Sequence, residues 1–125
     1  MKRKLEAATV GPFSAGIISD GICYLSAQGG LDPMTGDVVP GGIRAETRQA
    51  MENIAAILAS GGMTLDDVLT VTCYLTDISE WPAMNEEYAS HFGADQILPA
   101  RTAVAVAALP LNLRIEIAAT ARAPR

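Results

Sequence analysis

Beyond Lys4 the chain has no lysine. No side-chain amine therefore stands in the body of the fold to form a Schiff base, which excludes lysine-anchored pyridoxal phosphate. There is one histidine, His91, and there are two cysteines fifty residues apart, Cys23 and Cys73. So few ligating groups make no metal spacing, and neither a metal nor another cofactor is expected. Neither GxGxxG nor GxxxxGK[ST] occurs, and GxSxG is missing too. Basic residues are scarce, nine against fourteen acids, for a net charge of −5. Lys2, Arg3 and Lys4 lie at one end and Arg122 and Arg125 at the other, leaving only Arg44, Arg48, Arg101 and Arg114 between. That distribution excludes a phosphate-backbone binder, so no nucleic-acid partner is expected. No run of about 18 apolar residues exists to span a membrane, and the basic opening lacks a signal peptide's apolar stretch. A soluble, cytoplasmic protein is expected.

Aromatics are also few, six in 125 residues, whereas 21 residues are alanine. The length fits one domain, residues 1–125, but small side chains bury little each, which points to an oligomer. Cys23 and Cys73 fall in apolar strand-like runs, as buried thiols in a reducing compartment would.

The local patterns read as an α+β domain. Residues 16–28 form a strand, an Asp20-Gly21 turn and a second strand. Residues 29–42 are Gly/Pro/Asp-rich turns. A helix from about Arg44 to Ser60 buries Ile43, Thr47, Met51, Ile54 and Leu58, turns Arg44, Arg48 and Glu52 outward, and stops at Gly61-Gly62. Thr64 with Asp67 makes a near capping box. Residues 69–76 alternate as a strand, with Val71, Cys73 and Leu75 on one face and Thr70, Thr72, Tyr74 and Thr76 on the other. A second helix, about Glu80 to Phe92, takes Ser79 as N-cap and Trp81, Met84, Tyr88 and Phe92 as its stripe. Two strands close the chain, roughly 101–108 and 113–121. Helices on one sheet face are expected to cover Val104, Val106, Ile115 and Ile117. The opposite face, lined by Ala103, Ala105, Ala107 and Ala118, suits another subunit better than water.

Arg101 and Glu116 are the residues whose placement points to chemistry. Arg101 opens a strand, and Glu116 is the one acid deep inside a predicted strand. A partly desolvated carboxylate has a raised pKa suited to proton transfer. A guanidinium offers a fork for a substrate carboxylate. An Arg101–Glu116 interface salt bridge is the alternative. His91 suits a helix C-terminal cap, Tyr88 and Trp81 suit the core, and Asn85 suits a hydrogen-bonding strut.

Gly11-Pro12-Phe13-Ser14, Leu25-Ser26-Ala27-Gln28, Asp32-Pro33 with Thr35-Gly36, and Gln49 with Asn53-Ile54 follow one another in order. Asn85-x-x-Tyr88-x-x-x-Phe92, Pro99-Ala100-Arg101-Thr102, Leu109-Pro110 and Ile115-Glu116-Ile117 complete the set. Together they resemble the RidA/YjgF/UK114 family of reactive-intermediate deaminases across nearly the whole chain. The resemblance implies a chorismate-mutase-like α+β fold: a mixed sheet with two main helices on one face. It also implies a homotrimeric barrel with sites in the clefts between subunits and no need of a cofactor. It further implies hydrolysis of 2-aminoacrylate-like enamines and imines to 2-keto acids and ammonia. Arg101 would hold the substrate carboxylate and Glu116 would handle water and proton. Phe13, Ser26, Ala27, Ala103 and Asn85 would line the substrate.

Four positions depart from the family pattern. Phe13 replaces a tyrosine, Ala27 a glycine, Gly29-Gly30 an apolar-proline pair and Ala103 a cysteine. The lost hydroxyl favours a more apolar or larger substrate. Alternatives are a pathway-specific deaminase or hydrolase of a larger carboxylated substrate, and a non-catalytic small-ligand binder. The ribonuclease label carried by some relatives fits poorly with the acidic charge.

Overall fold

The computed structural model describes residues 1–124. Six strands form one sheet: β1 (Arg3–Lys4), β2 (Gly16–Ser19), β3 (Ile22–Gly29), β4 (Val68–Leu75), β5 (Ala100–Ala105) and β6 (Ile115–Arg122). Two helices accompany it, α1 (Gly42–Ser60) and α2 (Trp81–Ala89). The spatial order is β1-β2-β3-β6-β4-β5. Every neighbouring pair is antiparallel except β4 and β5, which run parallel because α2 carries the chain back between them. The sheet is therefore mixed, as expected. None of its described helices is long and apolar enough to cross a membrane.

The β2–β3 hairpin turns at Asp20 (φ 50°) and Gly21 (φ 78°). Both central residues need positive φ in this tight turn, which is why an Asp-Gly pair serves. α1 buries Ile43, Thr47, Met51, Ile54 and Leu58, the stripe its periodicity implies. It ends at Gly61-Gly62, with the Met63 N–H returning to the Leu58 carbonyl at 2.9 Å. In the Thr64 capping box the hydroxyl accepts the Asp66 N–H and the Asp67 carboxylate accepts the Thr64 N–H. The core lies between the helices and one sheet face, where Cys23, Cys73, Leu75, Ile115 and Ile117 are all fully buried. Burying each isoleucine contributes about 1.5–3 kcal/mol before entropy is counted. Both cysteines are free thiols.

Three local expectations change. Ser79 does not cap the second helix: α2 has Glu80 at its N-cap position with no side-chain capping bond, and Asp77 caps the 3-10 turn that feeds into it, its carboxylate accepting both the N–H and the hydroxyl of Ser79. α2 stops at Ala89, so His91 does not cap it; the imidazole lies 2.9 Å from the Glu87 carboxylate instead. Most consequential is β5, which ends at Ala105 and faces the other way. Arg101 pairs with Val71, and Ala103 with Cys73, so both turn toward α2 and the core. Val104 is left on the outer face.

That outer face is consequently not an alanine row alone. Tyr24, Tyr74, Val104, Ala118 and a hydroxyl pair linking Thr70 to Thr120 at 2.6 Å share it, and none of the described helices covers it.

Candidate functional site

Arg101 stands on β5, the edge of the sheet, with α2 beside it. Trp81, Met84 and Tyr88 recur at helical spacing, so α2 presents all three to the same side chain. The guanidinium carbon lies 4.8 Å from the Tyr88 ring centroid and 5.9 Å from that of Trp81. Nη1 is 4.0 Å from the Met84 sulfur. The ion pairs among the described residues use Arg44, Arg48, His91 and Arg114, and none involves Arg101. A guanidinium steadied by π faces keeps its charge for an incoming anion, which a carboxylate partner would have neutralised. Tyr88 is core as expected, whereas Trp81 stays 41% exposed at the mouth of this cradle.

Burial pushes the Tyr88 hydroxyl up to about 12, and the Cys73 thiol beneath it to about 11. Neither ionises at neutral pH, so Arg101 is the charge of this group. Asn85 lies on the same helix, one residue from Met84. Its Oδ1 and the Tyr88 hydroxyl are buried with no hydrogen-bond partner among the described residues. The strut expected of Asn85 is thus incomplete in a single chain.

Glu116 is held by β6 between Tyr74 of β4 and Gly29 of β3. It is half-buried, and desolvation raises its pKa above the ordinary glutamate value of 4.5. Beside it, β3 shifts register between Leu25 and Gln28, where Ser26 and Ala27 sit. Ser26 is spent on structure: its hydroxyl donates to the Ser14 carbonyl at 2.7 Å and its N–H to the Ala15 carbonyl at 2.9 Å. These bonds fasten the 11–14 loop, whose Phe13 is 48% exposed, to the bulge.

The expected residues therefore fall into two groups. Arg101, Asn85 and Ala103 gather at β5 and α2; Glu116, Ser26, Ala27 and Phe13 gather around β3 and β6. An Arg101–Glu116 salt bridge does not form within the chain. Along β4 their partners are Val71 and Tyr74, three residues apart, so the two side chains leave opposite sheet faces.

Sequence patterning does not single out the polar residues behind Glu116. Glu46 of α1, only 4% exposed, accepts the Arg114 N–H at 2.8 Å. Burial raises its pKa, opposed by that hydrogen bond and by the Arg114 charge. Glu80 receives the Arg114 guanidinium at 3.1 and 3.2 Å. An acid adjoining the buried Ile43-Thr47 stripe was the available signal. Groups of His, Cys, Asp or Glu able to hold a metal ion are absent among the described residues.

The family model described as endoribonuclease L-PSP matches residues 3–123. A RutC family protein of Pyrococcus horikoshii is 45% identical over 112 residues, covering 90% of this chain and 87% of its own. The 2-iminobutanoate/2-iminopropanoate deaminase of Mus musculus is 41% identical over 114 residues, covering 91% and 83%. A Rid-family protein of Yersinia pestis superposes with a TM-score of 0.93 at 36% identity, over 98% of this chain and 99% of that one.

Proposed function

The chain belongs to the endoribonuclease L-PSP family, that of the RidA/YjgF/UK114 proteins, and on that footing we propose that it hydrolyses small carboxylated imines to 2-keto acids and ammonia. The observation that carries the reading is Arg101, a guanidinium with aromatic support and, among the described residues, no carboxylate partner. An imine made from an amino acid brings the matching group, a carboxylate one carbon from the reacting C=N. The name borne by relatives at about 41% identity supports the same class of activity.

In this reading Arg101 grips the carboxylate with two parallel N–H donors and so fixes the imine carbon. Glu116 accepts a proton from water as its oxygen bonds to that carbon, giving a carbinolamine. Glu116 returns that proton to the nitrogen, completing its NH2 group, then takes the hydroxyl proton and delivers it to the same nitrogen as the C–N bond breaks, so that ammonia leaves and C=O forms. One water is consumed and no redox change occurs. Free imines already hydrolyse in water, so a modest acceleration suffices.

The opposite orientation of the two side chains supports a site shared between copies. Arg101 of one protomer would meet Glu116 of the next across the uncovered sheet face, in a homotrimer. The exposed Tyr24, Tyr74 and Val104 are the kind of surface such packing would bury. Phe13 favours a second reading within the same chemistry. An exposed ring without a hydroxyl at the Glu116 end suits a larger or more apolar side chain on the carboxylated substrate.

The test is to generate 2-iminobutanoate in the cuvette with a dehydratase and follow its disappearance. Acceleration over buffer that is lost in Arg101→Ala is expected. Wild-type protein with no acceleration would overturn the enzymatic reading and leave a small-ligand binder. That outcome would be checked by calorimetry with 2-keto acids.

A further inference from the structure

Three polar side chains, Glu46, Gln49 and Asn53, lie three and four residues apart on α1, beside the end of β3 and the start of β6. Asn53 Nδ2 donates to the carbonyls of Leu31 at 2.9 Å and Gly29 at 3.3 Å. Gln49 Nε2 donates to Asn53 Oδ1 at 2.8 Å and fixes that orientation. Glu46 Oε1 accepts the Arg114 N–H at 2.8 Å. Arg114 precedes the first residue of β6, so its N–H has no strand partner and the carboxylate completes the ladder. Gly30 meets the same helix turn: a Cβ there would stand 2.6 Å from Glu46 Cα. The Arg114 carbonyl is held in turn by the Thr76 N–H at 3.1 Å.

These bonds converge on one place. Gly29 is the register partner of Glu116, and Arg114 lies two residues before it. We propose that Glu46 is a positioning residue: through the Arg114 N–H it fixes the backbone just before Glu116, and so aims the Glu116 carboxylate at the bound imine. The inference rests on the reading of Glu116 as the proton-handling group. Geometry is what it supplies, since a neutral amide oxygen accepts the same N–H. Displacement of a catalytic group by about 1 Å costs on the order of a hundredfold in rate, so loss of one anchor at this point registers in kcat.

The experiment compares Glu46→Leu, Glu46→Gln and Glu46→Asp in the full chain, each with native Glu116 and with Glu116→Gln. Steady-state kinetics, pH–rate profile and Tm are read for all. Glu46→Leu lowers kcat by roughly ten- to a hundredfold with KM near wild type, because Arg101 still binds the carboxylate. Its acid limb moves, and Glu46→Gln restores both kcat and limb. Glu46→Asp, which keeps the charge and shortens the reach, loses kcat as well and serves where the leucine variant does not fold. With Glu116→Gln, the Glu46 substitutions lower the residual rate no further. A fall in Tm with kcat and acid limb unchanged would overturn the proposal, as would equal losses in both backgrounds. Full activity of Glu116→Gln alone would instead remove the reading of Glu116 on which it rests.

Discussion

Arg101→Lys keeps the positive charge at the β5 edge and removes its shape. The native guanidinium faces two aromatic rings and the Met84 sulfur, with no carboxylate of the described residues to release before substrate binds. Two unit charges about 4 Å apart at an effective dielectric near 20 attract by about 4 kcal/mol. Arg101→Ala forfeits that, which is roughly a thousandfold in kcat/KM at 1.36 kcal/mol per decade. Lysine retains the charge but only one of two parallel bonds. A hydrogen bond to a charged group contributes about 1.5–3 kcal/mol, so Arg101→Lys loses roughly ten- to a hundredfold. The assay is continuous decay of an imine generated in situ, extrapolated to zero protein to remove buffer hydrolysis. The methyl ester of the same imine is the control, since it offers no anion and its slower turnover should be indifferent to either substitution. Unchanged kcat/KM in Arg101→Ala, or the same loss with acid and ester, would refute carboxylate binding at this residue.

Other outcomes follow from the same geometry. Because desolvation raises the Glu116 pKa, its base form is lost as pH falls through a value above 4.5, and the acid limb of the pH–rate profile lies there rather than in the ordinary range. The sign for stability is the reverse: the raised pKa means that the folded state disfavours the ionised form, so Glu116→Gln loses activity while its Tm at pH 7 is equal or higher. Gly30→Ala places a methyl 2.6 Å from Glu46 Cα, against backbone that cannot rotate away, and is expected to lower Tm by several degrees in calorimetry. Phe13→Tyr restores a hydroxyl at the exposed loop tip and should shift the ratio of kcat/KM values toward smaller imines; an unchanged ratio would dismiss Phe13 as a specificity element.

Elements with strong apolar contrast were legible in the sequence. The α1 stripe, the alternation of Val71, Cys73 and Leu75, the Asp20-Gly21 turn and the Thr64–Asp67 box all stand where the pattern places them. The two-residue strand β1 carries too little pattern to read. β5 misled for a physical reason: in Arg101-Thr102-Ala103-Val104-Ala105 the larger residue looks like the core face. At a sheet edge beside α2, however, the small Ala103 fits over Cys73, and Val104 turns outward. From that one inverted strand comes the expectation that Val104 packs under the helices while Ala103 lines the outer face, the reverse of what the register places there. Which helix would lie over Arg101, and that Glu46 would back Glu116, depend on contacts between residues far apart in sequence, which local periodicity does not encode.

In the proposed arrangement, Arg101 of one chain and Glu116 of another form a single site. Arg101→Ala and Glu116→Gln proteins, each reduced to a small residual rate alone, would be co-expressed in equal amounts with different affinity tags, and the mixed oligomers purified over both. In a closed ring of randomly mixed chains about one quarter of the junctions carry both native residues. Activity near a quarter of wild type in the unselected mixture, concentrated in the doubly tagged fraction, is the predicted result. Mixed oligomers no more active than their parents would contradict a shared site.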